Sequence, residues 1–154
     1  MKNKIQLKRT DGSVIFEYED ENNSVKKTLE EYIKREHTLC KVRANLYNVN
    51  LSNIDLNGVD LRFADLTKAN LYNTNLEDAN LRCAVLEGSD LSYANLTRAN
   101  LSYADLRKTN LSHTKVNDAN LTCTILFDAN LMYANIYNTN TKYVLFGTNI
   151  YEKL

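Results

Sequence analysis

The 154-residue sequence has no proline, no tryptophan and only four glycines. The chain therefore lacks the residues that most often make turns, and asparagine, with 22 copies, is the abundant residue that can replace them. The three cysteines, Cys40, Cys83 and Cys123, are an odd and sparse set. Such a set argues against a disulfide framework.

The sequence also lacks an excess of charge of either sign and any long apolar run. Nineteen basic residues balance nineteen acidic ones. Because an electrostatic nucleic-acid binder normally carries a basic excess, this balance argues against direct nucleic-acid binding. No apolar run approaches the roughly 18 residues of a membrane span, and the N-terminus has no apolar core of signal-peptide length. We therefore expect a cytoplasmic protein with no membrane segment.

What the sequence does contain is a repeat of five residues. An apolar residue occupies every fifth position from Leu46 to Ile136, and leucine fills each of these positions as far as Leu111. We call this residue the centre, i. A small or β-branched residue occupies i−2, and asparagine or aspartate usually occupies i−1. A period of five fits neither a helix nor an open strand, so the chain must turn a corner in each pentad. Four pentads would close a coil of about twenty residues, stacked on the next at about 4.8 Å.

The pattern Ala-(Asp/Asn)-Leu-x-x resembles the pentapeptide repeat family over about two thirds of the chain. The resemblance implies an all-β solenoid, a right-handed quadrilateral β-helix of about five coils. It also implies that the centre and the i−2 residue point inward and that the other three residues point outward. The expected core includes the leucines at six centres, Leu46, Leu66, Leu86, Leu91, Leu106 and Leu126.

The repeat loses its period near the C-terminus. Thr141 replaces leucine at a centre, Phe146 keeps the register, and Thr148-Asn149-Ile150 comes one residue early. Terminal repeats depart in this way where they end a stack. We divide the chain into an N-terminal segment (residues 1–43), the repeat β-helix (44–150) and a tail (151–154).

The N-terminal segment predicts a β-hairpin followed by a helix. Thr10-Asp11-Gly12-Ser13 is a hairpin turn signal, and residues 14–18 form the second strand. Thr28-Leu-Glu-Glu31 predicts a capping box, and Ser24 offers an earlier cap. An apolar stripe at helical spacing follows at Leu29, Tyr32 and Ile33. The segment resembles the leaders of bacterial and prophage-encoded pentapeptide repeat proteins. Its implied role is a cap on the first coil, with a separate binding module as the alternative.

The sequence offers no constellation for catalysis or for a cofactor. Its two histidines, His37 and His113, have no second conventional metal ligand near them. Cys83 and Cys123 fall two coils apart, at about 10 Å, which is too far for a disulfide and unsuited to zinc. We therefore expect a protein that is not an enzyme and that holds no metal or cofactor.

Function must then come from the outside of the coils, where residues twenty apart share a face. One face has a single charge, Asp90, and we name its exposed ring-bearing part the tyrosine face: Tyr72, Tyr93, His113, Met132 and Tyr133. Interfaces favour tyrosine and methionine over charge, so this face is the candidate partner surface. The alternative is that the rings only cover the coil edges. Another face, the basic-aromatic face, sets three cations against one acid, Asp60, beside a ladder of rings and thiols: Arg62, Phe63, Arg82, Cys83, Tyr103, Cys123, Lys142 and Tyr143.

Two functions are compatible with these surfaces. One is a protein-binding or scaffold module with an unidentified protein partner. The other follows from the resemblance, because some family members mimic DNA and modulate a type II topoisomerase such as DNA gyrase. The most acidic face here reaches only −2, with four acids against two bases: Asp55, Glu77, Asp78 and Asp118 against Arg98 and Lys115.

The apolar C-terminal residues indicate how the last coil is covered. Leu145, Phe146, Ile150 and Tyr151 are the candidate contacts of a homodimer that joins two copies end to end. The alternative is that the tail of a single copy folds across the same end.

Overall fold

The computed structural model describes residues 3–21, 24–40 and 44–147. The described elements are strand β1 (Asn3–Lys8), strand β2 (Val14–Asp20) and helix α1 (Val25–Cys40), followed by the repeat. The strands pair antiparallel, and a bulge lies between Leu7 and Lys8. At the turn between them, the Gly12 N–H donates to the Arg9 carbonyl at 3.0 Å. Gly12 has a φ of +85°, a conformation for which glycine is the natural choice.

Helix α1 begins at Val25, so the prediction of a capping box at Thr28 was wrong and the earlier cap is the one used. The Ser24 hydroxyl accepts the N–H of Lys27 at 3.1 Å, which satisfies one of the free donors of the first turn. Thr28 instead lies buried inside the helix. The predicted stripe faces inward, with Leu29 and Tyr32 buried and Ile33 packed against the core.

The repeat closes a circuit every twenty residues. Each i−1 residue pairs in parallel with the residue twenty positions later, from Asn45 with Asp65 to Ile125 with Leu145. The N–H of Leu86, for example, donates to the carbonyl of Asp105 at 2.8 Å. Four pentads therefore make one circuit, and neighbouring circuits hydrogen-bond like parallel strands.

Each pentad turns its corner in one way. In all described pentads except the one centred on Leu51, the N–H three residues after a centre donates to the carbonyl of the centre, as from Ala94 to Leu91 at 3.0 Å. The i+2 residue has a positive φ in every described pentad, between 52° and 62° for the residues other than glycine. These are the features of a type II turn. The i−1 side chain supports the corner, since the Asp90 carboxylate accepts the N–H of Ser92 at 3.0 Å.

The interior of the coils is a column of leucines. The six predicted core leucines lie fully buried, as do the small residues at most i−2 positions. Buried threonines at i−2 also bind the preceding circuit, as where the Thr109 hydroxyl donates to the Leu86 carbonyl at 2.9 Å. Ser92 and Ser102 depart from the expected outward placement of i+1 and are buried. Their hydroxyls are small enough to turn in and donate to the i−1 side chain, at 2.7 Å in both cases.

The N-terminal hairpin and helix lie against the first circuit. Arg9 forms an antiparallel bridge with Val49. The N–H of Thr10 donates to the carbonyl of Asn48 at 2.9 Å, and the N–H of Asn50 donates to the carbonyl of Lys8 at 2.8 Å. Backbone groups at the start of the stack thus find partners in β1 and the turn after it.

Candidate functional site

The tyrosine face carries a continuous stack of aromatic rings. The rings of Tyr93 and His113 lie 4.6 Å apart and are nearly parallel, with an interplanar angle of 9°. The rings of His113 and Tyr133 lie 4.9 Å apart at 23°, and Tyr72 meets Tyr93 edge-on at 5.7 Å. All three members of the parallel stack occupy i+2, so the positive φ of each corner aims the rings along one column. The spacing of the rings follows the spacing of the coils.

This stack is exposed although its rings contact one another. Tyr93 is 52% exposed and Tyr133 is 75% exposed, with Met132 beside it also exposed. The carboxylate of Asp90, the one charge of this face, accepts a hydrogen bond from the Ser92 hydroxyl and another from the Asn110 amide, the latter at 3.1 Å. The tyrosine face is therefore ordered, aromatic and almost uncharged.

The basic-aromatic face lies on the opposite side, two pentads further round the four-pentad circuit. The Arg82 guanidinium lies over the Tyr103 ring at 5.4 Å, and the Lys142 ammonium lies over the Tyr143 ring at 4.9 Å. Within the described ranges neither cation has a carboxylate partner. Arg62 differs from them, because its guanidinium binds the Asp60 carboxylate at 2.7 Å.

The most acidic face is partly neutralised by one arginine. Arg98 donates two hydrogen bonds to Asp78, at 2.8 and 2.7 Å, and also forms an ion pair with Glu77. The hydrogen bonds from Arg98 lower the pKa of the Asp78 carboxyl below its ordinary value. The contact of Glu77 with Arg98 was not evident from the sequence, because Glu77 lies at i+1 and Asp78 at i+2 of the same pentad. Only the corner geometry brings both within reach of one guanidinium.

The other predicted positions are placed as follows. Cys83 and Cys123 are free and partly exposed. The side chains of His37 and Cys40 lie outside the described residues. Over residues 3–21, 24–40 and 44–147, no group of three or more metal-ligating side chains comes together. In the same ranges, no helix has the length and apolar character of a membrane span.

The candidate dimer contacts are described in part. Leu145 is 51% exposed and Phe146 is partly buried against the core. Ile150 and Tyr151 lie outside the described residues. Tyr137, which sequence analysis did not single out, is one of the most exposed rings in the same last circuit. Its i+1 position on an outward corner was the signal that could have identified it.

Comparison with known proteins shows which family has the same repeat. A family model described as pentapeptide repeats matches in eight copies over residues 44–82, 79–118 and 104–140. No curated protein shows significant sequence similarity to the chain.

Three solved structures are similar to the chain. A pentapeptide repeat protein from the Arabidopsis thaliana thylakoid lumen is 32% identical with a TM-score of 0.60; the match covers 60% of this chain and 65% of that protein. The chain thus spans less than two thirds of that relative. The pentapeptide repeat protein Rfr23 of the cyanobacterium Cyanothece is 27% identical, with a TM-score of 0.69 and coverage of 76% and 95%. A pentapeptide repeat protein from Nostoc is 26% identical, with a TM-score of 0.60 and coverage of 75% and 93%.

These matches agree with the twenty-residue pairing and the corner geometry described above. They imply the right-handed quadrilateral β-helix of pentapeptide repeat proteins. The predicted family resemblance is confirmed, and the chain belongs to the pentapeptide repeat family.

Proposed function

We propose that this protein is a non-enzymatic module that binds a protein partner through the tyrosine face. The observation that carries the proposal is the exposed stack of Tyr93, His113 and Tyr133. Rings that are already held by stacking lose little conformational freedom when a partner covers them. Tyrosine supplies a large contact area with few rotatable bonds, which is why it is common in binding surfaces.

The alternative that these rings only cover the coil edges has less support. A ring that served only to cover an edge would lie flat on its neighbours and be largely buried. Tyr93 and Tyr133 instead keep more than half of their surface in water. The cost of exposing aromatic surface is better explained by a surface that is covered in a complex.

We also propose that residues 44–147 form about five coils and that the N-terminal segment serves as their cap. An open coil end would leave backbone donors and acceptors unpaired. The bonds of Thr10 and Asn50 supply partners for the first circuit. The Tyr32 hydroxyl adds a hydrogen bond to the Asn45 carbonyl at 3.0 Å, which ties the helix to the same end.

DNA mimicry of the kind that modulates DNA gyrase is the weaker alternative. It requires a continuous negative field along the rod. Arg98 lies in the middle of the most acidic face and engages two of its carboxylates. A supercoiling assay with DNA gyrase separates the two functions, since inhibition by the full-length protein would favour mimicry.

The tyrosine face is tested by photo-crosslinking in a lysate of the native host. A photoreactive phenylalanine analogue at position 93 or 133 is expected to capture one protein, and the double variant Tyr93→Asn/Tyr133→Asn is expected to lose it in a pull-down. Asparagine preserves the positive φ of the corner, so the variant should fold. The matched control is Lys108→Asn, at the same corner position on an adjoining face. Unchanged capture by the tyrosine double variant would contradict the proposal.

A further inference from the structure

We propose that the basic-aromatic face binds an extended acidic peptide segment, with Arg82 and Lys142 each receiving one carboxylate. This goes beyond the proposed function, because the face lies on the side of the stack opposite to the tyrosine face. It does not depend on the tyrosine face.

The charges of this face are arranged so that two cations are available. Arg62 is already paired with Asp60, the one acid of the face, through hydrogen bonds of 2.9 and 2.7 Å. Arg82 and Lys142 contact rings and, in the part of the chain that the structure describes, no carboxylate. Arg82 and Lys142 are therefore the two cations of this face that are available to negative charge from outside the coils.

The backbone spacing of the two cationic residues suits an extended chain. Arg82 and Lys142 lie sixty residues apart at i+1 of the same face, which is three coil steps or about 14 Å. Alternate side chains of an extended peptide point the same way, and residues four apart are separated by about 13–14 Å. Two acidic residues at positions n and n+4 of one strand would thus reach both cations without bending.

The rings give the segment an apolar floor. Phe63, Tyr103 and Tyr143 occupy i+2 of every second coil, and Tyr103 and Tyr143 are 55% and 68% exposed. The smaller side chains of Cys83 and Cys123 lie at the corners between them, so the column alternates between large and small residues. The corner at Cys123 lies between Arg82 and Lys142 along the stack, and the space above its small side chain would accept a side chain of the bound segment between its acids. The ring of Tyr103 also restricts the Arg82 guanidinium, which lowers the entropy lost on binding.

The same observations favour a peptide over a single-stranded nucleic acid. Nucleic acid brings a negative charge with every nucleotide and is bound by a densely positive groove. This face offers two available cations along the height of the stack, and the chain as a whole has no net charge. A peptide with few acidic residues matches this low density of positive charge.

Titration of the full-length, isotope-labelled protein with a synthetic peptide tests the proposal. The probe is the heptapeptide Gly-Glu-Ser-Gly-Ser-Glu-Gly, whose glutamates are four residues apart, followed by NMR chemical shifts and by fluorescence anisotropy of a labelled form. We expect shifts grouped at Arg82, Tyr103 and Lys142, and binding that weakens as salt is raised. The double variant Arg82→Gln/Lys142→Gln should weaken binding by about tenfold or more, a change of about 1.4 kcal/mol.

Matched controls distinguish this site from general charge attraction. Lys115→Gln removes an exposed cation from an adjoining face and is expected to leave the affinity unchanged. A peptide of the same composition with its two glutamates adjacent should bind more weakly than the probe. The proposal is overturned if the probe produces no shifts on this face, or if Lys115→Gln weakens binding as much as the double variant. It is also overturned if oligo(dT) binds the face and the glutamate peptide does not.

Discussion

At the residue scale, the corner position i+2 decides which side chains the repeat tolerates. From Asn48 to Tyr143 this position has a positive φ in every pentad, and only Gly58 and Gly88 there are glycine. None of the twenty residues at these positions is valine, isoleucine or threonine. A branched Cβ is the group that suffers most in the left-handed region. Unbranched residues as large as Phe63 and Tyr103 are accepted, because the hydrogen bonds between circuits hold the backbone in place.

Valine should therefore destabilise the protein at one exposed position of the coils and be tolerated at another. Asp128 occupies i+2 with a φ of 60°, and Lys115 occupies i−1, where Val85 and Ile125 already stand in other coils. Asp128→Val is expected to lower the free energy of unfolding by about 1–2 kcal/mol, whereas Lys115→Val should leave it within about 0.5 kcal/mol. Urea unfolding of both variants measures the difference. Equal losses would contradict a corner that selects against branched side chains.

How much of the corner geometry the sequence could predict differs between two positions of the pentad. Asparagine and aspartate can hydrogen-bond nearby backbone, and the Asp90 carboxylate accepts the N–H two residues on, so their frequency at i−1 is a signal that the sequence itself carries. The left-handed conformation, however, falls at i+2, where tyrosine is as common as asparagine and where lysine, arginine and cysteine also occur. The conformation there is imposed by the pairing of circuits, so the residue type at i+2 carries little signal of its own.

At the scale of elements, helix α1 shows where local patterns compete. Two capping signals lie four residues apart, at Ser24 and Thr28, and either could begin a helix. The choice depends on packing, because a start at Ser24 adds a turn that contains Val25, which packs on the core. Tertiary contact of this kind is invisible in a local sequence pattern. The apolar stripe of Leu29, Tyr32 and Ile33, by contrast, follows helical spacing and can be recognised in the sequence.

The contact between helix α1 and the first coil predicts a dependence on high pH. Burial raises the pKa of the Tyr32 hydroxyl above its ordinary value, and that hydroxyl donates to the Asn45 carbonyl. The neutral form is therefore favoured in the folded protein. The stabilisation by the neutral Tyr32 hydroxyl is complete below the pKa that this group has in the unfolded chain, about 10. It is lost as the pH rises through the higher pKa of the same group in the folded protein.

Tyr32→Phe tests this contact. The variant should lose about 1 kcal/mol of stability at neutral pH, because one hydrogen bond is removed. The difference from the original protein should shrink as the pH is raised above about 10. Thermal unfolding at pH 7 and pH 11 measures both effects, and Tyr18→Phe on strand β2 serves as the comparison. A constant difference between the original protein and Tyr32→Phe across this range would contradict the assignment.

At the scale of the whole molecule, the two ends of the stack are unlike. The first circuit has bonds to the N-terminal segment, whereas the last described circuit exposes Tyr133, Tyr137 and Leu145. Between Ala129 and Gly147 the only charged residue is Lys142. The residues of each face could be assigned from the sequence, because residues twenty apart lie one above the other in neighbouring circuits. What covers an end of the stack depends on residues outside the regular repeat. The five-residue period of the repeat carries no information about those residues.

We propose that two copies join through this C-terminal end, and sedimentation tests it. The full-length protein is expected to form a dimer at high concentration, and Phe146→Glu is expected to be monomeric, because a charge would enter an apolar contact. Phe63→Glu, near the other end of the stack, is the matched control and should remain dimeric. A full-length protein that stays monomeric at every concentration would favour a tail that folds across its own end.

The twenty-residue pairing also limits how such a chain can change length. Inserting twenty residues adds one full circuit, and every downstream side chain returns to its original face. Inserting five residues preserves the motif and the buried leucines, but it rotates everything downstream by a quarter turn. Placed between Tyr93 and His113, such an insertion would cut the ring stack in two and move its lower half to another side. Surface columns therefore restrict insertions to whole circuits, although the core would accept single pentads.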